Sequence, residues 1–177
     1  MQKHYQIEKA TLTDVDALEM LYDAVNEALE NGTNYAGWKK GVYPVRETAI
    51  DGIQAEALFV CRIGGEVAGT VILNHEMPEA YSNGKWQLVC NTNEVMVVHT
   101  LAIHPCYGKK GVAQALLEFA RDYCKAQGAK VIRLDTWEHN APAIRLYERC
   151  GYAYRGMVDL GLDIPELVWF KLYELIL

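Results

Sequence analysis

The segment from Glu94 to Thr136 restricts the fold more than any other part of the chain. Glu94-Val95-Met96-Val97-Val98-His99-Thr100-Leu101-Ala102-Ile103 is a long β-rich run, ended by His104-Pro105. A glycine-marked turn follows. Then Val112, Leu116, Phe119 and Tyr123 fall on one face of a helix that Gly128 closes. Val131 to Thr136 is the next β-rich run. A helix between two strands of one sheet is a crossover, so these two strands run parallel. Upstream, Leu58–Ile63 and Val67–Leu73 flank Gly64-Gly65, a hairpin signal, and a hairpin is antiparallel. Parallel and antiparallel pairs in one chain give a mixed α/β sheet.

The remaining elements are shorter. Tyr5 to Lys9 reads as a first strand. Thr13 reads as an N-cap with Asp14 and Asp16 in the first turn. Ala17, Leu18, Leu21, Tyr22, Val25 and Leu29 then form the buried face of a helix ended by Asn31-Gly32. A second helix spans about Arg46 to Gln54. Residues 75–93 are a polar excursion with Pro78, Asn83-Gly84 and Trp86. A helix from about Ala141 to Cys150 closes at Gly151, and two strands follow near Tyr152–Val158 and Leu167–Tyr173.

With 177 residues the chain reads as one domain, 1–177. Seventeen Lys and Arg against twenty-three Asp and Glu leave a net charge of −6. That balance argues against general binding to nucleic acid or to anionic membrane, so an anionic ligand must be held by a local feature. There is no run of eighteen apolar residues and no apolar stretch after the charge in Met1-Gln2-Lys3-His4. Cys61, Cys90, Cys106, Cys124 and Cys150 show no metal or dithiol spacing. They read as small buried or half-buried apolar residues in a reducing cytoplasm, with no metal. His4, His75 and His139 have no partner that the sequence identifies.

The turn Tyr107-Gly108-Lys109-Lys110-Gly111-Val112-Ala113 sits between strand and helix. Free N–H groups at a helix N-terminus bind anions. Two lysines there oppose the helix dipole at a cost of roughly 0.3–1 kcal/mol each, which a bound phosphate reverses. The plainer reading is a glycine turn with two solvated lysines. On the turn alone the two readings stand even.

The segment from Glu94 to Tyr152 resembles the GNAT superfamily of acetyl-CoA-dependent N-acetyltransferases. Val98-His99-Thr100-Leu101-Ala102-Ile103-His104-Pro105 is similar to that family's central strand. The glycine turn is similar to its pyrophosphate loop, R/Q-x-x-G-x-G/A. Asn140-Ala141-Pro142-Ala143-Ile144-Arg145-Leu146-Tyr147-Glu148-Arg149-Cys150-Gly151-Tyr152 is similar to its later N-x-x-A-x-x-L-Y-x-x-x-G-F/Y motif. One position departs: Gly108 stands where the family carries Arg or Gln, with Lys109 after it.

The resemblance implies a mixed, mostly antiparallel sheet with a splayed parallel central pair and helices on both faces. It implies acetyl-CoA as co-substrate and a small-molecule or peptide amine as acceptor. Pantetheine then bonds to the backbone of Leu101 and Ile103 beside Ala102. The amides of Gly108, Lys109, Lys110, Gly111, Val112 and Ala113 meet the diphosphate. Asn140, Ala143 and Tyr147 face the cofactor, with Tyr147 as general acid toward the CoA thiolate. His99 and Glu94 compete as base, since an amine of pKa ~10.4 must lose a proton before attack. Trp38, Tyr43 and Trp137 are acceptor-lining candidates, beside Tyr35, Trp86 and the carboxylates Glu76, Glu79 and Glu138. Dimerisation is common in the family.

The plainer reading of Tyr147 is a helix-face aromatic, and of His99 a satisfied strand residue. A non-catalytic CoA-binding or sensor domain is a second reading, given weight by Gly108. A third is a dinucleotide-binding oxidoreductase using the glycines and Asp135, although G-x-G-x-x-G is not present.

Overall fold

The computed structural model describes residues 5–177, so the readings of Met1–His4, that of His4 included, lie outside it. Seven strands, β1 (Gln6–Lys9), β2 (Leu58–Ile63), β3 (Glu66–Asn74), β4 (Val95–Ile103), β5 (Val131–Trp137), β6 (Ala153–Asp159) and β7 (Trp169–Ile176), form one sheet. Their order is β1-β2-β3-β4-β5-β7-β6. Four helices accompany them, α1 (Val15–Asn31), α2 (Arg46–Gln54), α3 (Val112–Ala126) and α4 (Ala141–Arg149). β1–β2, β2–β3, β5–β7 and β6–β7 are antiparallel, and β4–β5 is parallel, as the crossover requires. A dinucleotide-binding fold needs a parallel sheet, so this topology overturns the oxidoreductase alternative.

The parallel ladder is short. It pairs Val95 with Val131, Met96 with Ile132 and Val97 with Arg133. Both strands then continue, β5 keeping its other edge on β7 as far as Trp137↔Phe170.

The chain divides into two compact units. One holds residues up to Asn34 with Trp38–Leu73 and His99–Ala120. The other holds Tyr35–Gly37, Asn74–Val98 and Arg121–Leu177.

In the first unit, Leu18, Leu21 and Tyr22 of α1 pack with Ala49, Leu58, Val60, Ile72 and Ala102. Val15 and Asn26 share this buried face, while Ala17 turns outward and departs from the spacing. The helix start also differs from the sequence reading. Thr11, not Thr13, opens the 3-10 turn Leu12–Asp14 that leads into α1. The Thr11 amide donates to the Asp14 carboxylate at 2.9 Å, and Thr13 only shares a hydroxyl bond with Thr11 at 2.7 Å. Asp14 is also bonded by Arg62 at 2.7 Å. Burial raises the Asp14 carboxyl, but the Arg62 and Thr11 bonds outweigh it and hold the group below its ordinary range.

In the second unit, a buried carboxylate pins the excursion of residues 75–93. Glu174 of β7 is 1% exposed. It accepts from Arg133 Nε at 3.2 Å, Arg155 Nε at 3.1 Å and the Gln87 amide at 2.9 Å. Arg133 Nη2 donates to the Leu88 carbonyl at 2.8 Å, and its guanidinium lies 4.2 Å from the Trp86 ring centroid. Every charge is met, which a buried ion network requires. His75 Nδ1 lies 2.6 Å from the Val95 carbonyl, and His139 Nε2 lies 3.6 Å from Glu138, so both have partners.

Cys61 and Cys124 are fully buried, and burial pushes their thiols up to about 11 and about 12. Cys106 is exposed, against the sequence reading.

Glu174→Ala strands two arginines, one of them buried, and should destabilise by about 3–5 kcal/mol in urea unfolding. A loss below about 1 kcal/mol contradicts the role given to this network.

Candidate active site

In the first unit the site begins with the end of β4. Val95 to Val98 are all buried, but from His99 onward burial alternates. Thr100 and Ala102 are 8% and 2% exposed, while His99, Leu101 and Ile103 are half-buried. The change begins one residue before Thr100, whose φ is +48°. A β-branched residue in the left-handed region is strained by about 1–3 kcal/mol. The Thr100 hydroxyl shares a hydrogen bond with the hydroxyl of Tyr43. Trp38 meets Tyr43 edge-on with ring centroids 5.7 Å apart. Asn26 Nδ2 donates to the Tyr43 carbonyl at 3.3 Å. Two acceptor-lining candidates, Trp38 and Tyr43, are thus brought together, and Tyr43 is joined to the residue between His99 and Leu101.

The turn after β4 follows. The His104 amide donates to Ala68 O at 3.0 Å, and His104 Nδ1 accepts from the Cys106 amide at 3.2 Å, turning the chain into the 3-10 turn Pro105–Tyr107. Lys109 and Gly111 are left-handed, at φ +58° and +84°. The Ala115 amide donates to Gly111 O at 3.0 Å, closing the first turn of α3. By helix geometry, the N–H groups of Val112, Ala113 and Gln114 have no carbonyl in a preceding turn to meet. Lys109, Lys110 and Gly111 are exposed around them. Gly108 has an ordinary φ of −57°. By shape and charge this turn could hold an anion such as a diphosphate.

In the second unit, α4 places Tyr147. Asn140 Oδ1 accepts from the Ala143 amide at 3.3 Å, so Asn140 caps the helix as its position implies. Tyr147 is 7% exposed, with its ring centroid 5.9 Å from Tyr152 and 6.2 Å from Tyr173. Burial, then the charges of Asp135 and Cys150, push its phenol well above the ordinary range. At neutral pH the group is a protonated donor. Asp135 accepts from the Tyr81 hydroxyl at 2.7 Å. Burial raises the Asp135 carboxyl, and the Tyr81 bond offsets part of that. Trp137 ends β5, its Nε1 buried without a partner among the described residues.

Glu94 is engaged structurally. Lys130 lies 2.6 Å from its carboxylate, and the Asn91 amide donates to it at 2.9 Å. The Lys130 bond first, then Asn91, holds the Glu94 carboxyl below its ordinary range. Such a carboxylate is a weak base.

The family model for the acetyltransferase (GNAT) family matches residues 18–152, most of the chain. The chain belongs to the GNAT acetyltransferase family. It is 30% identical to streptothricin acetyltransferase of Escherichia coli over 124 residues, 68% of this chain and 62% of that protein. The match therefore spans less than two thirds of that relative's length. An uncharacterised N-acetyltransferase of Methanocaldococcus jannaschii is 24% identical over 173 residues, 94% of this chain and 68% of the relative. A GNAT acetyltransferase structure from Streptococcus agalactiae superposes with a TM-score of 0.78 at 24% identity, covering 98% of this chain and 95% of that one. An acetyltransferase from Salmonella typhimurium, solved with acetyl-CoA, has a TM-score of 0.70 at 17% identity, covering 97% and 93%. Both structures share the fold.

The sequence reading missed Thr100, Asn26 and Tyr81. No spacing marks a strained φ, and a buried Asn on a helix face looks like a polar residue that belongs outside. No helix of the described residues is long and apolar enough to cross a membrane.

Asn140→Ala removes the α4 cap and should lower stability by about 1 kcal/mol in thermal unfolding, while Asn140→Asp keeps it. Equal stability of Asn140→Ala and the parent contradicts the cap.

Proposed function

We propose that residues 1–177 form a single N-acetyltransferase domain that moves acetyl from acetyl-CoA to a primary amine, by direct attack within a ternary complex. The observation that carries this is the buried, protonated Tyr147 hydroxyl, which α4 presents at the position of the family's acid. In this reaction the amine nitrogen bonds to the thioester carbon and the carbon–sulfur bond breaks. The Tyr147 proton passes to the departing thiolate, and the amine loses its proton to a base. His99 is the better base, because Glu94 is held by Lys130 and Asn91. The Leu101 amide would polarise the carbonyl, an effect typically worth about 3–4 kcal/mol of barrier.

Acetyl-CoA would be held by the backbone of Leu101, Ala102 and Ile103. Its diphosphate would be met by the amides from Gly108 to Ala113, and the family motif assigns Asn140 and Ala143 to the cofactor as well. The open amides of the α3 start support this. Lys109 and Lys110 supply the charge that Gly108 does not. Trp38, Tyr43 and Trp137 are offered as the acceptor-lining residues. The similarity to streptothricin acetyltransferase makes streptothricin a first acceptor to try, alongside simple diamines, lysine and peptide N-termini.

Thiol release from acetyl-CoA across that panel tests the reading, and Tyr147→Phe tests its chemistry. We expect Tyr147→Phe to lower kcat by about 100-fold or more while its KM for acetyl-CoA changes little. An unimpaired Phe variant removes the acid role. The non-catalytic reading instead expects CoA binding with no thiol released by any amine.

Lys109→Ala and Lys110→Ala should each weaken CoA binding by about two- to fivefold, the size expected of an exposed cation facing a phosphate. Calorimetry measures this, and unchanged affinity in both contradicts the compensation for Gly108.

A further inference from the structure

We propose that the Tyr43 hydroxyl is a positioning group for acetyl transfer: by bonding Thr100 it holds that residue in its left-handed conformation and so aims the neighbouring His99 side chain and Leu101 amide. The effect on turnover rests on the acetyl-transfer reading above, but the structural half stands alone.

The backbone at Thr100 is uncommon for its residue type. Thr100 is β-branched, sits inside a strand and has φ +48°. That region is open to glycine, and a branched Cβ crowds the backbone there. Such a conformation persists where its surroundings over-determine it. The surroundings here include a specific bond. The Thr100 hydroxyl is buried with its residue 8% exposed, and it meets the Tyr43 hydroxyl. Without that bond a buried hydroxyl would be left unmet, which favours turning Thr100 out of its native conformation.

Tyr43 is itself fixed from three sides. The Val42 and Tyr43 amides both donate to Lys39 O at 3.0 Å, folding residues 39–43 back on themselves. Asn26 of α1, fully buried, donates from Nδ2 to the Tyr43 carbonyl at 3.3 Å. The Trp38 ring packs edge-on against the Tyr43 ring. A chain of contacts therefore runs from α1 through Asn26 and Tyr43 to Thr100. Thr100 directly follows His99, the first half-buried residue after four consecutive buried side chains of β4. A flip at Thr100 would rotate the planes of the peptides on either side. Those peptides carry the Leu101 N–H and lead from His99.

Tyr43 is thereby given two separable roles. Its ring can line the acceptor site, and its hydroxyl acts through Thr100 as a positioning group. Tyr43→Phe keeps the ring and removes the hydroxyl. Thr100→Gly removes the need for a hold, because glycine adopts φ near +48° without side-chain crowding. Four proteins decide the matter: the parent, Tyr43→Phe, Thr100→Gly and the double variant. Steady-state kinetics with acetyl-CoA and the best amine of the panel are run beside thermal unfolding.

With Thr100 present, Tyr43→Phe should lower kcat about tenfold while the KM for acetyl-CoA shifts less than about twofold. It should also lower Tm. In the Thr100→Gly background, adding Tyr43→Phe should lower kcat and Tm far less than it does with Thr100 present. A kcat loss of equal size in both backgrounds overturns the proposal, because Tyr43 would then act on the acceptor directly. An unchanged kcat and Tm in Tyr43→Phe also overturns it. Should no amine be acetylated by the parent, the acetyl-transfer reading fails, and the Tm comparison alone still decides whether Tyr43 holds Thr100.

Discussion

A parallel ladder of three residue pairs, Val95–Val97 against Val131–Arg133, is the constraint on which the rest of the molecule depends. Backbone N–H and C=O groups are obligate hydrogen-bonding groups, so a strand that leaves a ladder must have its polar groups met by something else. β5 stays paired with β7 to its last residue, and that edge is settled. β4 goes on for six residues beyond the ladder, through the strained Thr100. A strand whose parallel ladder stops at its third residue and that then carries alternating half-buried positions is suited to receive an extended ligand as it would receive another strand. In the function proposed for this chain, the pantetheine arm is that ligand.

The turn into α3 complements the strand through electrostatics. Left-handed Lys109 and Gly111 bring the chain to the helix with its first amides open, and two exposed lysines stand where the helix dipole disfavours cations. Each feature alone is a modest liability in the free protein. In the function proposed for this chain, a bound diphosphate would reverse both costs. The net acidity of the chain sharpens the point, since an anion must be drawn by this turn and not by the overall field. The second unit supplies a different kind of preparation. Burial raises the Tyr147 phenol further above its ordinary range, and the Glu174 network fastens the long excursion to β5, β6 and β7.

Most of the scaffold was legible in the sequence because its signals are local. Gly64-Gly65 marked the hairpin, Gly128 and Gly151 marked helix ends at φ +84° and +89°, and Asn140 marked the cap that the structure shows. The crossover helix fixed the one parallel pair. Errors arose where neighbours in space outrank neighbours in sequence. Thr13 has the right residue type for an N-cap, but Thr11 with Asp14 forms the bonded turn, and Arg62, distant in sequence, holds Asp14 there. Ala17 fits the helical period but lies outside, and Asn26 lies inside because the Tyr43 carbonyl needs a donor. The family motifs named Tyr147, His99 and Glu94, yet no motif could say that Lys130 and Asn91 occupy Glu94. The bond from Tyr43 to Thr100 joins residues 57 positions apart and leaves no trace in spacing.

The most direct measurement is backbone amide hydrogen exchange on the protein with and without saturating coenzyme A. Exchange should slow at Leu101 and Ile103 of β4 and at Val112 and Ala113 of α3, with the β6–β7 amides unchanged. Coenzyme A that binds without slowing exchange at Leu101 and Ile103, or that does not bind, contradicts a ligand-receiving β4.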